Sequence, residues 1–228
     1  MTKLKIEIWH GAHNKFILVP CEKNIPFISL NSIKKLNKKY NTDGLVQFFV
    51  ENNKKIFMKF FDPAGNLDNC GNALRVVASY CVNNLLTSNE GIIISLGSEY
   101  PFSVSKDKSS VIFPRVVKEK GIFLVGGVSH KIVFTNNFES SRTIARLIRK
   151  KLNCNVTIVK KSKIGVFAQT FEIGVENFTA SCGTGAIAAS VSTNCNRIFM
   201  PGGVLEVNKL SNGFSLSGLV KKYEGDEF

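Results

Sequence analysis

Two stretches decide the fold: CGNALRVVASYCVNNLL at residues 70–86 and CGTGAIAASVSTNC at residues 182–195. Each begins with Cys-Gly and continues with residues that are mostly apolar around the whole circumference of a helix. Helices with this pattern are stable only when other structure surrounds them. The sequence therefore predicts two buried helices, at residues 72–86 and 184–195.

The spacing of the two stretches indicates an internal duplication. Cys70 and Cys182 are 112 residues apart (182 − 70), about half of the 228-residue chain. Each half shows strands, a helix, more strands, a long apolar helix and further strands, and a duplication is the simplest explanation. We expect two domains, residues 1–117 with Cys70 and residues 118–228 with Cys182, joined by a polar linker at residues 116–121.

Sheet dominates the remaining pattern. The helical signals outside the two apolar helices lie at residues 30–39 and 142–152. Period-two alternation of apolar and polar residues predicts strands at residues 3–8, 16–19, 45–51, 56–61, 92–96, 100–104, 131–134, 156–159 and 166–173.

Composition narrows the classes of protein. The formal charge is +13, but the Lys and Arg residues at 34–39 and 146–151 are typical of solvated helix faces, so we expect no nucleic-acid partner. No run approaches the roughly 18 apolar residues of a membrane span, and no secretory signal is present, so we expect a cytoplasmic protein. The six cysteines lack the spacing of zinc ligands, and we expect no metal.

The two Cys-Gly pairs suggest a specific chemistry. A thiol at a helix N-terminus lies beside backbone N–H groups and the positive end of the helix dipole, which favours the thiolate. The same N–H groups can bind a carboxylate. Two such helix ends facing one amino acid would place a sulfur on each side of its α-carbon, and inversion of that carbon requires one base and one acid. We expect no cofactor for this chemistry.

An ordered series of motifs resembles the diaminopimelate epimerase superfamily of cofactor-independent racemases and epimerases. The motifs are HGAHNKF at residues 10–16, NTDGL at 41–45, GN at 65–66, CGN at 70–72, GGVSH at 126–130, NV at 155–156, FE at 171–172, ASCGTG at 180–185 and PGGVL at 201–205.

The resemblance implies a fold and a set of site residues. The implied fold is α+β, with two pseudo-symmetric halves, each a curved and mainly antiparallel sheet around a central helix, and with the last strand returning to the first half. Cys70 and Cys182 are the implied catalytic pair. The implied substrate-binding residues are Asn14, which lies near the amine, Gly71, Asn72, Gly183 and Thr184, which present donors to the α-carboxylate, and Asn155.

Departures from the family pattern bear on the substrate. Where diaminopimelate epimerases read a second carboxylate, this sequence has Ile173, Val128 and Asp62, and burying a carboxylate against them would be costly. Glu172 remains, and in the family it lies near the distal amine. We therefore expect Asp62 and Glu172 to face a basic or imidazole side chain, as in histidine, lysine or ornithine, which is closer to the histidine racemase branch.

Several alternatives stay open. The chain could be a diaminopimelate epimerase proper, a non-racemising isomerase of the phenazine-biosynthesis type, or a silent amino-acid-binding protein of the same fold. Participation of His13 or His130 is not decided, although structural roles are favoured, and neither is a homodimeric state.

Overall fold

A computed structural model describes residues 6–23 and 28–224. The chain forms two units: unit 1 comprises Met1–Val111 and Leu219–Phe228, and unit 2 comprises Ile112–Gly218. The first division lies near residue 111 rather than at the expected residue 117. The end of the last strand belongs to unit 1.

Unit 1 consists of strands with one surface helix and one central helix. Its elements are β1 (Glu7–Gly11), β2 (Asn14–Pro20), α1 (Leu30–Tyr40), β3 (Leu45–Asn52), β4 (Lys55–Phe61), β5 (Leu67–Asp68), α2 (Gly71–Asn83), β6 (Glu90–Ser95), β7 (Ser98–Ser105) and β8 (Lys108–Phe113).

Unit 2 repeats this order after one additional strand. Its elements are β9 (Val116–Glu119), β10 (Ile122–Val125), β11 (Val128–Phe134), α3 (Ser141–Leu152), β12 (Asn155–Ser162), β13 (Gly165–Glu172), β14 (Asn177–Phe178), α4 (Gly183–Thr193), β15 (Arg197–Met200), β16 (Gly203–Leu210) and β17 (Gly213–Lys222).

The strand pairing of the two units matches step by step. In unit 1 the order is β1-β2-β3-β4-β6-β7-β8, with β2–β3 and β4–β6 parallel. In unit 2 it is β10-β11-β12-β13-β15-β16-β17, with β11–β12 and β13–β15 parallel. The internal duplication inferred from the cysteine spacing is thus also a duplication of topology.

The last strand closes the sheet of unit 1. Residues 220–222 of β17 pair with β1, and β17 also pairs with β8, which completes a closed ring of eight strands. In unit 2, β9 pairs antiparallel with β10 in the way that the end of β17 pairs with β1. The predicted fold class, α+β with mainly antiparallel sheet around central helices, is confirmed.

The two apolar helices are buried along most of their length. In α2 every residue from Gly71 to Cys81 is buried, and in α4 every residue from Gly183 to Ser190. The other two helices bury only one face. Ile33 of α1 packs with Ile17, Val19 and Leu45, whereas Ala145 of α3 packs in a matching cluster on β12 and β13.

Some predictions from the sequence need correction. The expected linker at residues 116–121 is instead strand β9 and the turn into β10. The apolar helices are shorter than predicted, because α2 ends at Asn83 and α4 at Thr193, where Asn194 adopts a left-handed cap with φ 55°. Residues 3–5 of the first predicted strand lie outside the described residues.

Candidate active site

Cys70 lies directly before the central helix of unit 1. It is the N-cap of α2, has an extended backbone with φ −135° and ψ 115°, and is partly exposed. The first backbone hydrogen bond of the helix runs from Leu74 N to Cys70 O, at 3.0 Å. The N–H groups of residues 71–73 therefore precede the helical ladder, where a helix N-terminus can bind an anion.

Amide side chains surround the Cys70 thiol. Its Sγ lies 4.0 Å from Asn14 Oδ1, a distance at which a thiol can donate weakly. Asn72 Nδ2 donates to the same oxygen at 3.3 Å, and Arg75 Nη2 donates to Asn72 Oδ1 at 2.6 Å. Asn14 and Asn72 are both buried. The structure therefore brings Asn14 and Asn72 together beside Cys70.

An acidic pair lies in the hairpin that leads to Cys70. The carboxylate of Asp62 accepts from Asn66 N at 2.7 Å and from Asn66 Nδ2 at 2.9 Å, which stabilises the turn between β4 and β5. Asp68 is also close, because burial first and then the charge of Asp62 raise the pKa of Asp68. Asp62 thus has a structural role in the turn and also contributes negative charge next to the thiol loop.

Cys182 occupies the matching position in unit 2. It is the N-cap of α4, with φ −135° and ψ 113°, and is only 6% exposed. Its backbone N–H points to Met200 Sδ at 3.3 Å. Its Sγ lies 3.6 Å from Thr184 Oγ1. The thiol of Cys182 is therefore next to a hydroxyl, whereas its backbone N–H is next to a thioether.

A chain of buried side chains continues from Thr184. His130 Nε2 lies 2.9 Å from Thr184 Oγ1, and His130 Nδ1 lies 3.2 Å from Thr157 Oγ1. Thr157 Oγ1 in turn lies 3.1 Å from Thr170 Oγ1. Burial lowers the pKa of His130 to about 3, so the imidazole is neutral at physiological pH. His130 is therefore a neutral hydrogen-bonding group that is linked to Cys182 through the hydroxyl of Thr184.

The predicted side-chain pocket residues of unit 2 lie at the ends of neighbouring strands. Asn155 begins β12 and its Oδ1 accepts from Ile173 N at 2.8 Å, which fixes the backbone just after β13. Glu172 ends β13, and its Oε1 accepts from Thr179 Oγ1. The Ile173 side chain is partly exposed, with 41% of its surface accessible. The Glu172 carboxylate is thus oriented by a hydroxyl of the loop that leads to Cys182.

His13 lies in a tight turn. Ala12 and His13 both have positive φ, of 50° and 60°, and the His13 ring stacks on His10 at a centroid distance of 5.2 Å. The turn brings Gly11 and Asn14 into register, and so places Asn14 at the start of β2. His13 thus forms part of the turn that leads to Asn14.

Arg75 lies next to the candidate site and was not predicted from the sequence. It is fully buried and lies one turn into α2, next to Asn72. The signal was present in the sequence, because a single arginine interrupts an otherwise apolar run that must be surrounded by structure. Thr157, Thr170 and Thr179 were also missed, since hydroxyls in strands carry no distinctive spacing.

Two negative findings apply to the described part of the chain. Within residues 6–23 and 28–224, no three His, Cys, Asp or Glu side chains are grouped so that they could hold a metal ion. None of the helices in these residues has the length and apolar character that crossing a membrane requires.

Comparison with known proteins adds sequence relatives. No family model matches the chain. It is 26% identical over 221 residues to the diaminopimelate epimerase of Helicobacter pylori strain HPAG1, which covers 84% of this chain and 80% of that protein. It is also 26% identical over 231 residues to the diaminopimelate epimerase of Flavobacterium psychrophilum, with 90% of both chains covered.

Solved structures share the fold. A PhzF-family phenazine biosynthesis protein from Bacillus anthracis has a TM-score of 0.71 at 10% identity, with 98% of both chains covered. A hydroxyproline epimerase from Agrobacterium vitis, solved with trans-4-hydroxy-L-proline, has a TM-score of 0.63 at 10% identity, covering 96% of this chain and 90% of that one.

Fold and relatives together define the class, and the protein is an isomerase. The chain is similar in sequence to diaminopimelate epimerases and shares the diaminopimelate epimerase-like fold, and its relatives indicate an amino-acid racemase or epimerase. The family resemblance seen in the sequence is thereby confirmed.

Proposed function

We propose that the protein inverts the α-carbon of an amino acid by a two-base mechanism without pyridoxal phosphate, with Cys70 and Cys182 as the thiolate and thiol pair. One observation carries the proposal. The two cysteines cap the two central helices of topologically matched units, with backbone angles of φ −135°, ψ 115° and φ −135°, ψ 113°. A duplicated element that retains the same nucleophile in the same conformation supports two equivalent chemical roles.

The proposed step transfers one proton in and one proton out. One thiolate removes the α-proton, and the electron pair of the C–H bond moves onto the α-carbon and its carboxylate. The other cysteine then donates its thiol proton to the opposite face. The first cysteine ends as a thiol and the second as a thiolate, and the reverse direction uses the same groups in exchanged roles.

The helix ends supply the electrostatic stabilisation in this mechanism. We place the α-carboxylate against the N–H groups at Gly71 and Asn72 of α2 and at Gly183 and Thr184 of α4. Fixed donors of this kind stabilise the negative charge that develops on the carboxylate as the α-proton leaves. Asn14, whose Oδ1 already accepts from Asn72, is placed near the substrate amine.

We propose a substrate with a cationic or imidazole side chain, such as histidine, lysine or ornithine. Asp62 and Asp68 form a negative pair beside the Cys70 loop, and Glu172 is oriented by Thr179 beside the Cys182 loop. An apolar Ile173 follows Glu172, so a distal carboxylate would lack a cationic partner there. Acidic groups at these positions favour a positive substrate group.

Deuterium exchange tests the proposal. The purified protein is incubated in heavy water with L-histidine, L-lysine, L-ornithine or diaminopimelate, without added cofactor, and the α-proton signal is followed by NMR while chiral chromatography follows the opposite configuration. We expect loss of the α-proton and formation of the D-enantiomer with at least one basic amino acid. Added pyridoxal phosphate or a chelator should not change the rate.

The outcomes separate the alternatives. Faster turnover of diaminopimelate than of the basic amino acids would identify a diaminopimelate epimerase proper, as in the named relatives, and would overturn the substrate proposal. Binding of an amino acid without any α-proton exchange would indicate a silent binding protein and would overturn the mechanism.

A further inference from the structure

Arg75 is a buried cation in an apolar helix. Its exposed fraction is 0%, and α2 around it contains Leu74, Val76 and Val77, all equally buried. The side chain fits closely, because a Cβ placed on Gly11 would lie 3.2 Å from Arg75 Nη2. A guanidinium carries its charge at all physiological pH values, and a buried charge needs a counter-charge or a dense set of acceptors.

The neutral partners of Arg75 are few. Nη2 donates to Asn72 Oδ1 at 2.6 Å, and Nη1 is 3.5 Å from the carbonyl oxygen of Leu219 in β17. Nε is buried without a hydrogen-bond partner. Among residues 6–23 and 28–224, no carboxylate forms a salt bridge with this guanidinium. The hydrogen bonds of Arg75 therefore leave its positive charge uncompensated.

The ionisable group that acts on Arg75 is Cys70. The pKa of Arg75 is lowered to about 10, because burial lowers it by more than the negative charge of a Cys70 thiolate raises it. The two residues are also linked through side chains: Arg75 donates to Asn72 Oδ1, Asn72 donates to Asn14 Oδ1, and the Cys70 sulfur lies 4.0 Å from that same oxygen. Interaction between two charges is reciprocal, so a cation that is stabilised by a thiolate also stabilises that thiolate.

The matching position in unit 2 is apolar. Arg75 is five residues after Cys70 (75 − 70), and the residue five after Cys182 (187 − 182) is Ile187, also 0% exposed. The buried imidazole near Cys182, His130, is neutral because burial lowers its pKa to about 3. The two cysteines thus share a backbone position and differ in whether a buried cation accompanies them.

Other titratable groups near the two cysteines do not reproduce this difference. Near Cys70, Asp68 in the preceding hairpin and Asp43, which contacts Asn14, are acidic and oppose a thiolate, whereas Lys15 lies beside Asp43 and His13 lies in the turn before Asn14. On the strand beside the Cys182 loop, Glu172 is acidic and also opposes a thiolate. Of these named groups and Arg75, Arg75 is the fully buried, permanently charged cation.

We propose that Arg75 is the permanent counter-charge of the Cys70 thiolate, so that the resting protein carries a thiolate at Cys70 and a thiol at Cys182. Arg75 is then a positioning residue, since it acts through Cys70 and the two asparagines and does not touch the substrate. The charge assignment stands independently of turnover, whereas its functional consequence rests on the proposed two-base mechanism.

The consequence is a directional resting state. The resting form can accept an α-proton only from the enantiomer whose α-hydrogen faces Cys70. After turnover the thiolate is at Cys182, and the protein returns to its resting form when Cys70 loses a proton to solvent and Cys182 gains one. Arg75 favours the return to the form with a Cys70 thiolate. A larger fraction of the protein is therefore in the protonation state that reacts with the enantiomer whose α-hydrogen faces Cys70.

Site-resolved alkylation tests the charge assignment. Ligand-free protein is treated with iodoacetamide at pH values from about 5 to about 9, and the rates at Cys70 and Cys182 are read separately by mass spectrometry of their peptides. Only the thiolate reacts, so the pH midpoint reports ionisation while accessibility affects only the plateau rate. We expect the Cys70 midpoint at least about one pH unit below that of Cys182, which is about tenfold in thiolate fraction on the acidic side.

Variants test the cause. Arg75→Met removes the charge and should raise the Cys70 midpoint by about one pH unit, with that of Cys182 unchanged, whereas Arg75→Lys should restore most of the low midpoint. Arg142→Met, an exposed arginine of α3, is the matched control and should change neither midpoint.

The proposal is overturned if Cys182 of the wild-type protein ionises at the same or a lower pH than Cys70, or if folded Arg75→Met keeps the wild-type midpoint. If Arg75→Met does not fold, the comparison of the Cys70 and Cys182 midpoints in the wild-type protein and the Cys70 midpoint of Arg75→Lys still test the proposal. Since alkylation requires no substrate, a protein without α-proton exchange that still shows the Cys70 midpoint would refute the proposed function and leave the role of Arg75 intact.

Discussion

The surroundings of Cys70 and Cys182 differ far more than their backbones do. Both residues cap a buried helix with nearly identical φ and ψ. Cys70 lies among the amides of Asn14 and Asn72 with a guanidinium behind them, whereas Cys182 lies next to the hydroxyl of Thr184 with a neutral imidazole behind it. The duplication kept the element that positions the sulfur, while the side chains that tune its charge diverged.

Matched positions locate this divergence. The hairpin register pairs Gly11 with Asn14 in unit 1 and Val125 with Val128 in unit 2, so Asn14 corresponds to Val128 and Phe16 to His130. Three residues after each cysteine the pair is Ala73 and Gly185. The polar contact to the thiol therefore comes from Asn14 of the first hairpin in unit 1 and from Thr184 of α4 in unit 2.

Removing either sulfur should have the largest effect. Cys70→Ala and Cys182→Ala are each expected to reduce racemisation by at least about 10³-fold, since general acid or base catalysis contributes about 10²–10⁴-fold and the inversion needs both groups. Each variant should still exchange the α-proton of one enantiomer without inverting it, and the two variants should favour opposite enantiomers. Chiral chromatography combined with NMR in heavy water measures both effects.

A partly exposed cysteine provides the control for these variants. Cys195→Ala should keep the wild-type rate, because Cys195 lies after α4 and its thiol donates to the carbonyl of Arg197. Full racemisation by Cys70→Ala or Cys182→Ala would refute the pairing of these two thiols.

Replacing His130 with phenylalanine, the residue at the matched position of unit 1, should have the next largest effect. His130→Phe places an aromatic ring where Phe16 lies in unit 1, but it leaves the Thr184 and Thr157 hydroxyls without their imidazole partner. We expect a loss of about 2–3 kcal/mol in the free energy of unfolding, the cost of buried polar groups that lose a hydrogen bond. Urea denaturation at neutral pH measures it, and an unchanged midpoint would show that the hydroxyl chain is not structurally important.

The pH dependence of stability should change in the same variant. In the unfolded chain a histidine has a pKa of about 6.5, whereas burial lowers the pKa of His130 to about 3. Between these values the unfolded state binds more protons, so stability falls as the pH decreases. From pH 7 to pH 5 the wild-type protein should lose about 2 kcal/mol more than His130→Phe. Equal losses in both proteins would contradict a buried neutral imidazole.

The acidic group of unit 2 should contribute to substrate affinity. Glu172→Gln keeps an acceptor for Thr179 but removes the charge, and we expect KM for the basic substrate to rise about tenfold with a smaller change in kcat, as for a loss of about 1.4 kcal/mol in binding. Glu119→Gln, an exposed residue of β9, serves as the control. A change in kcat alone would place Glu172 in the chemical step instead of in side-chain recognition.

The sequence predicts those parts of the fold that depend on side-chain pattern. Apolar runs identify α2 and α4, and alternation identifies strands such as β3 and β4. Strands β8 and β17 were missed because they contain several Ser and Lys residues, and their backbones are held by neighbours in the sheet regardless of side-chain character. The polar segment expected to be a linker became β9 for the same reason.

The candidate site shows the same limit. Motifs identify the two cysteines and Asn14, because helix starts and turns require particular residues. They did not identify Arg75, since its environment depends on contacts that only the fold creates, including the carbonyl of Leu219, 144 residues further along the chain. The chain of Thr184, His130, Thr157 and Thr170 likewise joins a helix with three strands.

The smallest effect is expected for Ala73→Gly, which gives α2 the glycine that α4 has at the matched position, Gly185. Gly185 has no room for a side chain, because a Cβ there would lie 2.5 Å from Thr170 Oγ1. Ala73, at the matched position of unit 1, is fully buried. Ala73→Gly should cost about 1 kcal/mol, the helix penalty of glycine, because the side chain that it removes is a single methyl group. Urea denaturation measures this cost, and a loss above about 3 kcal/mol would show that the Ala73 methyl group is an essential part of the packing around α2.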